Sequence, residues 1–160
     1  QPIIGYNYGA GNFKRVRETL FYSLKVATII TVTGALVGVF FPGIFATAFT
    51  TDIELLGITE RGVRIAVSAM PLVGFQIVSS SFFQSIGFAA KSLIQSLSRQ
   101  LIFLIPGIII LPRYFGLDGL WIAMPVSDVF AFILSLFLLT YQLRQLKQME
   151  NSEISSVKKL

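Results

Sequence analysis

The sequence predicts an all-α integral membrane protein, with about four transmembrane helices and, before them, the end of another. Three observations carry this. The 160 residues are 54% hydrophobic and 13% charged, where a soluble domain carries about 25% charged residues, and the mean hydropathy is +0.74. Four stretches approach the roughly 20 apolar residues that cross a bilayer. Basic residues lie between those stretches, not along one face, so the net charge of +5 reads as membrane topology and not as nucleic-acid binding. There are no cysteines and no histidines, which excludes disulfides, thiol chemistry, zinc sites and histidine acid–base work. No nucleophile–base pair, metal cluster or phosphate loop is visible, so the sequence does not read as an enzyme.

The elements follow in order. Residues 1–12 read as the tail of a preceding helix. Helix A covers about 20–41 and stops at Pro42-Gly43. In "TDIE", Thr51 and Glu54 match a capping box, which predicts a short surface helix from Asp52 toward Arg61. Helix B covers about 63–87. Helix C covers about 96–111, with 92–95 available to lengthen it, and stops at Pro112. Helix D covers about 123–143, with Pro125 in its first turn, where a missing N–H costs little. Residues 1–143 then form one partial transmembrane lobe and 144–160 a polar tail, of which "QMENSEISSVKKL" is expected to fray. The chain begins at Gln1 in mid-pattern, without the order of a secretory signal, and reads as part of something longer.

Basic residues give the orientation. Lys14, Arg15 and Arg17 precede helix A. Lys91 and Arg99 flank the B–C link, and Arg144, Lys147, Lys158 and Lys159 follow helix D. If the helices alternate, all nine share one side. The other side holds Arg61, Arg64 and Arg113, balanced by Asp52, Glu54, Glu60 and Asp118. The positive-inside rule places the first side, with the C-terminus, in the cytoplasm of a cell whose plasma membrane the chain spans. Lys25 can snorkel, and Tyr114 and Trp121 fall where an outer aromatic belt belongs.

Helix B carries a polar ribbon. At 100° per residue, Gln76, Ser80, Phe83, Gln84 and Gly87 share a face with Ala69 and Val73, while Ser81 and Ser85 fall elsewhere. Amides are costly against lipid. The face is therefore either a cavity wall, with amides for hydrogen bonds and Phe83 for stacking, or a tether between helices. Gly34 and Gly38 in helix A match the small-x-x-x-small pattern of close helix contact. Pro71 and Pro106 mark bends, as hinges or as static kinks. Asp128 is the one acid inside a predicted span. It is a candidate proton or cation site, or a structural acid in helix D's first turn paired with Arg64 or Arg113.

These segments resemble a known family. "QPIIGYNYGAGNFKRVRETL", "FPGIFATAFTTDIELL" and "FFQSIGFAAKSLIQSLSRQLIFLIPGIIILPRYFGLDGLWIAMPVSD" are similar, in order and spacing, to the C-terminal third of the multidrug and toxic compound extrusion (MATE) transporters. The resemblance implies the end of helix eight and helices nine to twelve of a twelve-helix protein, part of its C-terminal lobe. It implies secondary active efflux of organic, often cationic, compounds in exchange for sodium ions or protons, with no cofactor. The partners it implies are the lipid bilayer, small organic substrates and the N-terminal lobe of the same protein. Some members of that family hold the coupling ion on an acid in helix ten. Helix B corresponds to that helix and has no Asp or Glu, which shifts the expected ion site to the other lobe. Two alternatives stand beside this reading. One is a flippase of lipid-linked precursors, which would call for several cavity arginines where this sequence places none at mid-membrane. The other is a non-transporting membrane subunit or scaffold.

Overall fold

In the computed structural model, residues 1–48 and 50–157 are described, with side chains described as far as Asn151. Those residues form helices α1 (Pro2–Gly9), α2 (Phe13–Phe40), α3 (Pro42–Ala46), α4 (Ile53–Val67) and α5 (Met70–Ser85). They continue with α6 (Ala89–Leu97), a π-helical segment (Ser98–Leu104), α7 (Ile105–Ile110), α8 (Pro112–Phe115) and α9 (Leu117–Val157). Among them, Phe13–Phe40, Ala89–Phe115 and Leu117–Asn151 are each long and apolar enough to cross a bilayer. The pair α4 and α5 makes a fourth span if its 46° bend is allowed. Three of the predicted spans thus correspond to single long apolar helices, with moved boundaries, and the predicted helix B corresponds to the bent pair.

Helix α2 starts at Phe13 and not near residue 20, because the basic stretch continues the helix outward from the bilayer. The turn before it is made by Gly11 at φ 75°, a left-handed conformation that costs glycine little. Ahead of helix α4, the cap is Asp52 and not Thr51. The Asp52 carboxylate accepts from the backbone N–H of Glu54 at 2.9 Å and of Leu55 at 3.4 Å. An anion at the positive end of the helix dipole holds that place better than a hydroxyl does. Phe49, in the Phe-Thr-x-Asp stretch, lies outside the described residues.

The predicted helix B is two helices. Helix α4 runs on to Val67, the chain bends over Ser68 and Ala69, and Pro71 stands in the first turn of α5, where its missing N–H was an orphan in any case. Gly34 and Gly38 pack at this bend: a Cβ on Gly34 would lie 3.3 Å from Met70 Cε, and one on Gly38 would lie 2.9 Å from Val67 Cγ2. The small-x-x-x-small pattern is thus used, between α2 and the α4–α5 bend.

Two further boundaries differ for one reason each. The predicted helix C begins earlier, at Ala89, and passes Pro106 through the wider turns of the π segment, which leave room for a residue that cannot donate to the carbonyl four positions back. Helix α9 begins at Leu117, so Pro125 lies inside the helix and not in its first turn. Gly116, at φ 56°, reverses the chain and lets a new helix start at once, with Asp118 in its first turn. At the other end, α9 continues to Val157, so residues 148–157 of the stretch expected to fray are helical; Lys158 and Lys159 lie outside the described residues.

The ends of the bundle sort by side-chain pairing. Arg17 Nη1 pairs with Glu150 at 3.0 Å, and Lys91 Nζ donates to Gln142 Oε1 at 2.7 Å. These tie the starts of α2 and α6 to the late turns of α9. Arg61 pairs with Asp118 at the opposite end. The helices therefore alternate, as the basic asymmetry requires. Ile4, Val16, Leu20, Phe82, Phe83, Ile86, Leu139 and Leu146 make the buried core where α1, α2, α5 and α9 meet. Large side chains such as Ile29, Ile30, Ile133 and Phe137 stay exposed, as expected where the surrounding medium is lipid. Trp121 is not a free belt residue: its indole packs on the open backbone of Gly62. Tyr114 is exposed at that end.

Candidate functional site: a polar groove between two facing stripes

Two helices bring polar stripes face to face. On α5, Gln76, Ser80 and Gln84 recur every four residues. On α6 and the π segment, Ser92, Gln95, Ser96 and Arg99 recur at i, i+3, i+4 and i+7, the spacing of one helical face. The stripes are joined by hydrogen bonds between Ser80 and Ser92 hydroxyls at 2.7 Å, from Gln84 Nε2 to Ser92 Oγ at 2.8 Å, and from Gln95 Nε2 to Ser79 Oγ at 2.9 Å. Gln76 Nε2 donates to the backbone carbonyl of Asp128 at 3.0 Å, fastening α5 to α9. Beside these bonds the helices part into a groove of about 410 Å³, within the size range of small-molecule sites. Gln76, Ser80, Ser81, Gln84, Gln95 and Arg99 are among its walls.

The ribbon ties helices together and lines the groove with the same residues. Gln76 tethers as well as lines, and Ser80 and Gln84 spend one bond on the opposite helix while facing the groove. Ser81, read as facing elsewhere, is on the wall. Phe83 is not. It is 0% exposed in the apolar core, edge-on to Phe82 with ring centroids 5.6 Å apart. A large ring recovers more by leaving water for that core than by standing in a wet groove.

Asp128 is also placed differently. It lies three residues past Pro125, well inside α9, and its partner is Arg99, not Arg64 or Arg113. Arg99 Nε donates to Asp128 Oδ1 at 2.6 Å, with the carboxylate side chain 4% exposed and the arginine 38%. This removes Arg99 from the basic residues of the B–C link. It stands ten residues past Ala89, about 15 Å along the span at the usual helical rise. It also corrects the expectation of no arginine at mid-membrane. The pair separates the groove from a second, mainly apolar cavity of about 250 Å³, whose walls include Ala66, Met70 and Met124. Gln95 has one open end: its Oε1 is buried without a hydrogen-bond partner.

Sequence reasoning missed Gln95, Ser92 and Arg99. Their i, i+3, i+7 recurrence was the available signal, hidden because Ser-x-Ser-Arg-Gln in "SLSRQ" looks like a helix boundary on a hydropathy scan.

Comparison with known proteins agrees with this architecture. The MatE family model matches residues 1–110. Protein DETOXIFICATION 44, chloroplastic, from Arabidopsis thaliana is 29% identical over 126 residues, which are 76% of this chain and 23% of that protein. A FAD transporter from Shewanella oneidensis is 24% identical over 128 residues, covering 80% of this chain and 28% of that protein. A multidrug resistance MATE family transporter of the MOP superfamily, solved in an inward-facing conformation, superposes with a TM-score of 0.85 at 25% identity. That match covers 91% of this chain and 34% of that one. The chain thus spans about a quarter of the length of the two relatives and a third of the solved transporter. With the family model covering more than two thirds of its residues and its helices superposing on a solved member, the chain belongs to the MatE family of membrane transporters.

Proposed function

We propose that this chain builds most of the C-terminal lobe of a secondary active exporter, which moves small organic compounds out across the plasma membrane in exchange for sodium ions or protons. The groove between α5 and α6 carries this reading. Its amides and hydroxyls form an adaptable, wettable wall at bilayer depth, where such groups are costly against lipid. The opposing wall would be the N-terminal lobe, and the basic end of the bundle, with the C-terminus of α9, faces the cytoplasm. The coupling ion would be held chiefly by that other lobe, since α5 has no acid and the Asp128 carboxylate is engaged by Arg99. A pyrophosphate-bearing lipid precursor suits the groove less, because among the described residues its wall carries one arginine, with its charge offset by Asp128, where a pyrophosphate would call for several.

Gln84 gives the test. It is exposed on the wall and its tie to Ser92 is one neutral bond. In the full-length protein, Gln84→Ala should shift export of individual dyes by about two- to tenfold, in different directions, at nearly unchanged folded protein, as one hydrogen bond of about 0.5–1.5 kcal/mol allows. Thr140→Ala, exposed on α9 and bonded only to its own helix, should leave preference alone. Export of several dyes from an efflux-deficient strain, beside detergent-stable protein, makes the comparison. A uniform loss that tracks protein level would mean that the stripe only holds helices together.

A further inference from the structure

The charge of the groove wall is not what an organic cation would seek. Among the described residues, Arg99 is the one charged side chain on it, and no carboxylate lines it with the amides and hydroxyls. Asp128 lies behind the arginine, buried, and holds the Nε edge of the guanidinium. Among the described residues, no hydrogen bond occupies Arg99 Nη1 or Nη2, although a guanidinium presents five donors in a fixed fork. Arg99 continues the helical face of Ser92, Gln95 and Ser96 and so stands on the groove wall. Beside it, Gln95 is 5% exposed, and its Oε1 has no partner.

We propose that the compound carried in this groove bears a carboxylate, which the two terminal NH₂ groups of Arg99 bind in bidentate fashion while the exposed Gln84 engages polar atoms on its body. Asp128 is the positioning residue. It fixes the guanidinium plane so that its outer edge meets the anion, and it brings the isolated site close to neutral, so that an anion can be released as well as held. The inference rests on the export reading above and names the substrate class for the same groove.

The test uses two dyes that differ only in the group at issue: rhodamine 110, a free carboxylic acid, and rhodamine 123, its methyl ester. Fluorescence polarisation measures binding to the full-length protein in lipid nanodiscs. The unmodified protein should bind the acid about tenfold more tightly than the ester, the discrimination expected of a charge-assisted bidentate contact. Because Arg99→Gln alone leaves a buried carboxylate without its partner, the informative variant is Arg99→Gln/Asp128→Asn, which removes both charges together. It should lose about tenfold on the acid and change the ester by less than about twofold. Equal binding of the two dyes by the unmodified protein, binding of neither, or equal losses on both in the double variant would overturn the proposal. Export assays on the same dyes keep the two readings apart. An Arg99-dependent preference for the acid with no export would sink the exporter and leave the groove's ligand class standing. Export without that preference would do the opposite.

Discussion

Gly74→Val is expected to abolish accumulation of folded protein. Helices α2 and α5 meet closely at this glycine. A Cβ there would stand 2.7 Å from Thr31 Oγ1, 2.8 Å from Thr31 Cγ2 and 3.2 Å from the carbonyl oxygen of Ala27. None of these gives way easily. The Thr31 hydroxyl is bonded to that same carbonyl at 2.9 Å, its β-branched side chain has few rotamers to choose from, and the carbonyl is backbone. Overpacking of this kind costs about 1–3 kcal/mol for an extra methyl or two, and valine adds three carbons to a helix pair whose approach depends on having none. Gly74→Ala should be milder, and Thr31→Ala should restore part of its loss by removing the two nearest atoms. Gly57, where an added Cβ meets nothing within 4 Å, should accept alanine with no loss and, in mid-helix, a gain of about 0.5–1 kcal/mol. Size-exclusion profiles and thermal unfolding in detergent give the order. Accumulation of Gly74→Val at the unmodified level would mean that α2 and α5 do not pack as described.

The Arg99–Asp128 pair yields the second large effect, and it is asymmetric. Arg99→Ala strands a carboxylate that is 4% exposed, whereas Asp128→Asn leaves an arginine that is 38% exposed and reaches the groove. Breaking a fully buried pair costs about 3–5 kcal/mol. For Arg99→Ala the lower part of that range is expected, since the groove admits water to one partner. Asp128→Asn should cost clearly less, and the double variant Arg99→Ala/Asp128→Asn should be more stable than Arg99→Ala alone. Apparent Tm values for the four proteins complete the cycle. If the double variant loses the sum of the two single losses, the side chains are not coupled.

Much of this architecture is legible in the residues, and the failures have physical causes. Hydropathy locates the apolar helices because lipid imposes composition directly on a helix that faces it. The glycine pattern at Gly34 and Gly38 falls where α2 meets the α4–α5 bend, with the tighter approach at Gly38, against Val67, and the flexible end of Met70 at Gly34. Boundaries fail where the backbone decides. Gly116 in a left-handed conformation starts α9 eight residues before Pro125, and only the conformation, not the presence of a glycine, tells that. The groove is half legible. A helical wheel places Gln76, Ser80 and Gln84 on one face, but it cannot say which flank of that face meets protein. Phe83, on one flank, is taken by the core; Ser81, on the other, lines the groove. Arg99 was hidden because positive charge near a span end normally signals a loop. Its pairing with Asp128 depends on two helices that meet across 29 residues of sequence.

The most direct test of the groove as the substrate-facing wall is water and ligand access at Ser81→Cys. These 160 residues contain no cysteine, so the new thiol is the chain's single label site, with any cysteines elsewhere in the full-length protein replaced first. A small maleimide should label Ser81→Cys in membranes much faster than it labels a cysteine in place of buried Ser79. Saturation with an exported dye should slow the Ser81→Cys reaction several-fold. Labelling at Ser81→Cys as slow as at Ser79→Cys, or unaffected by any exported dye, would contradict a groove that water fills and substrate occupies.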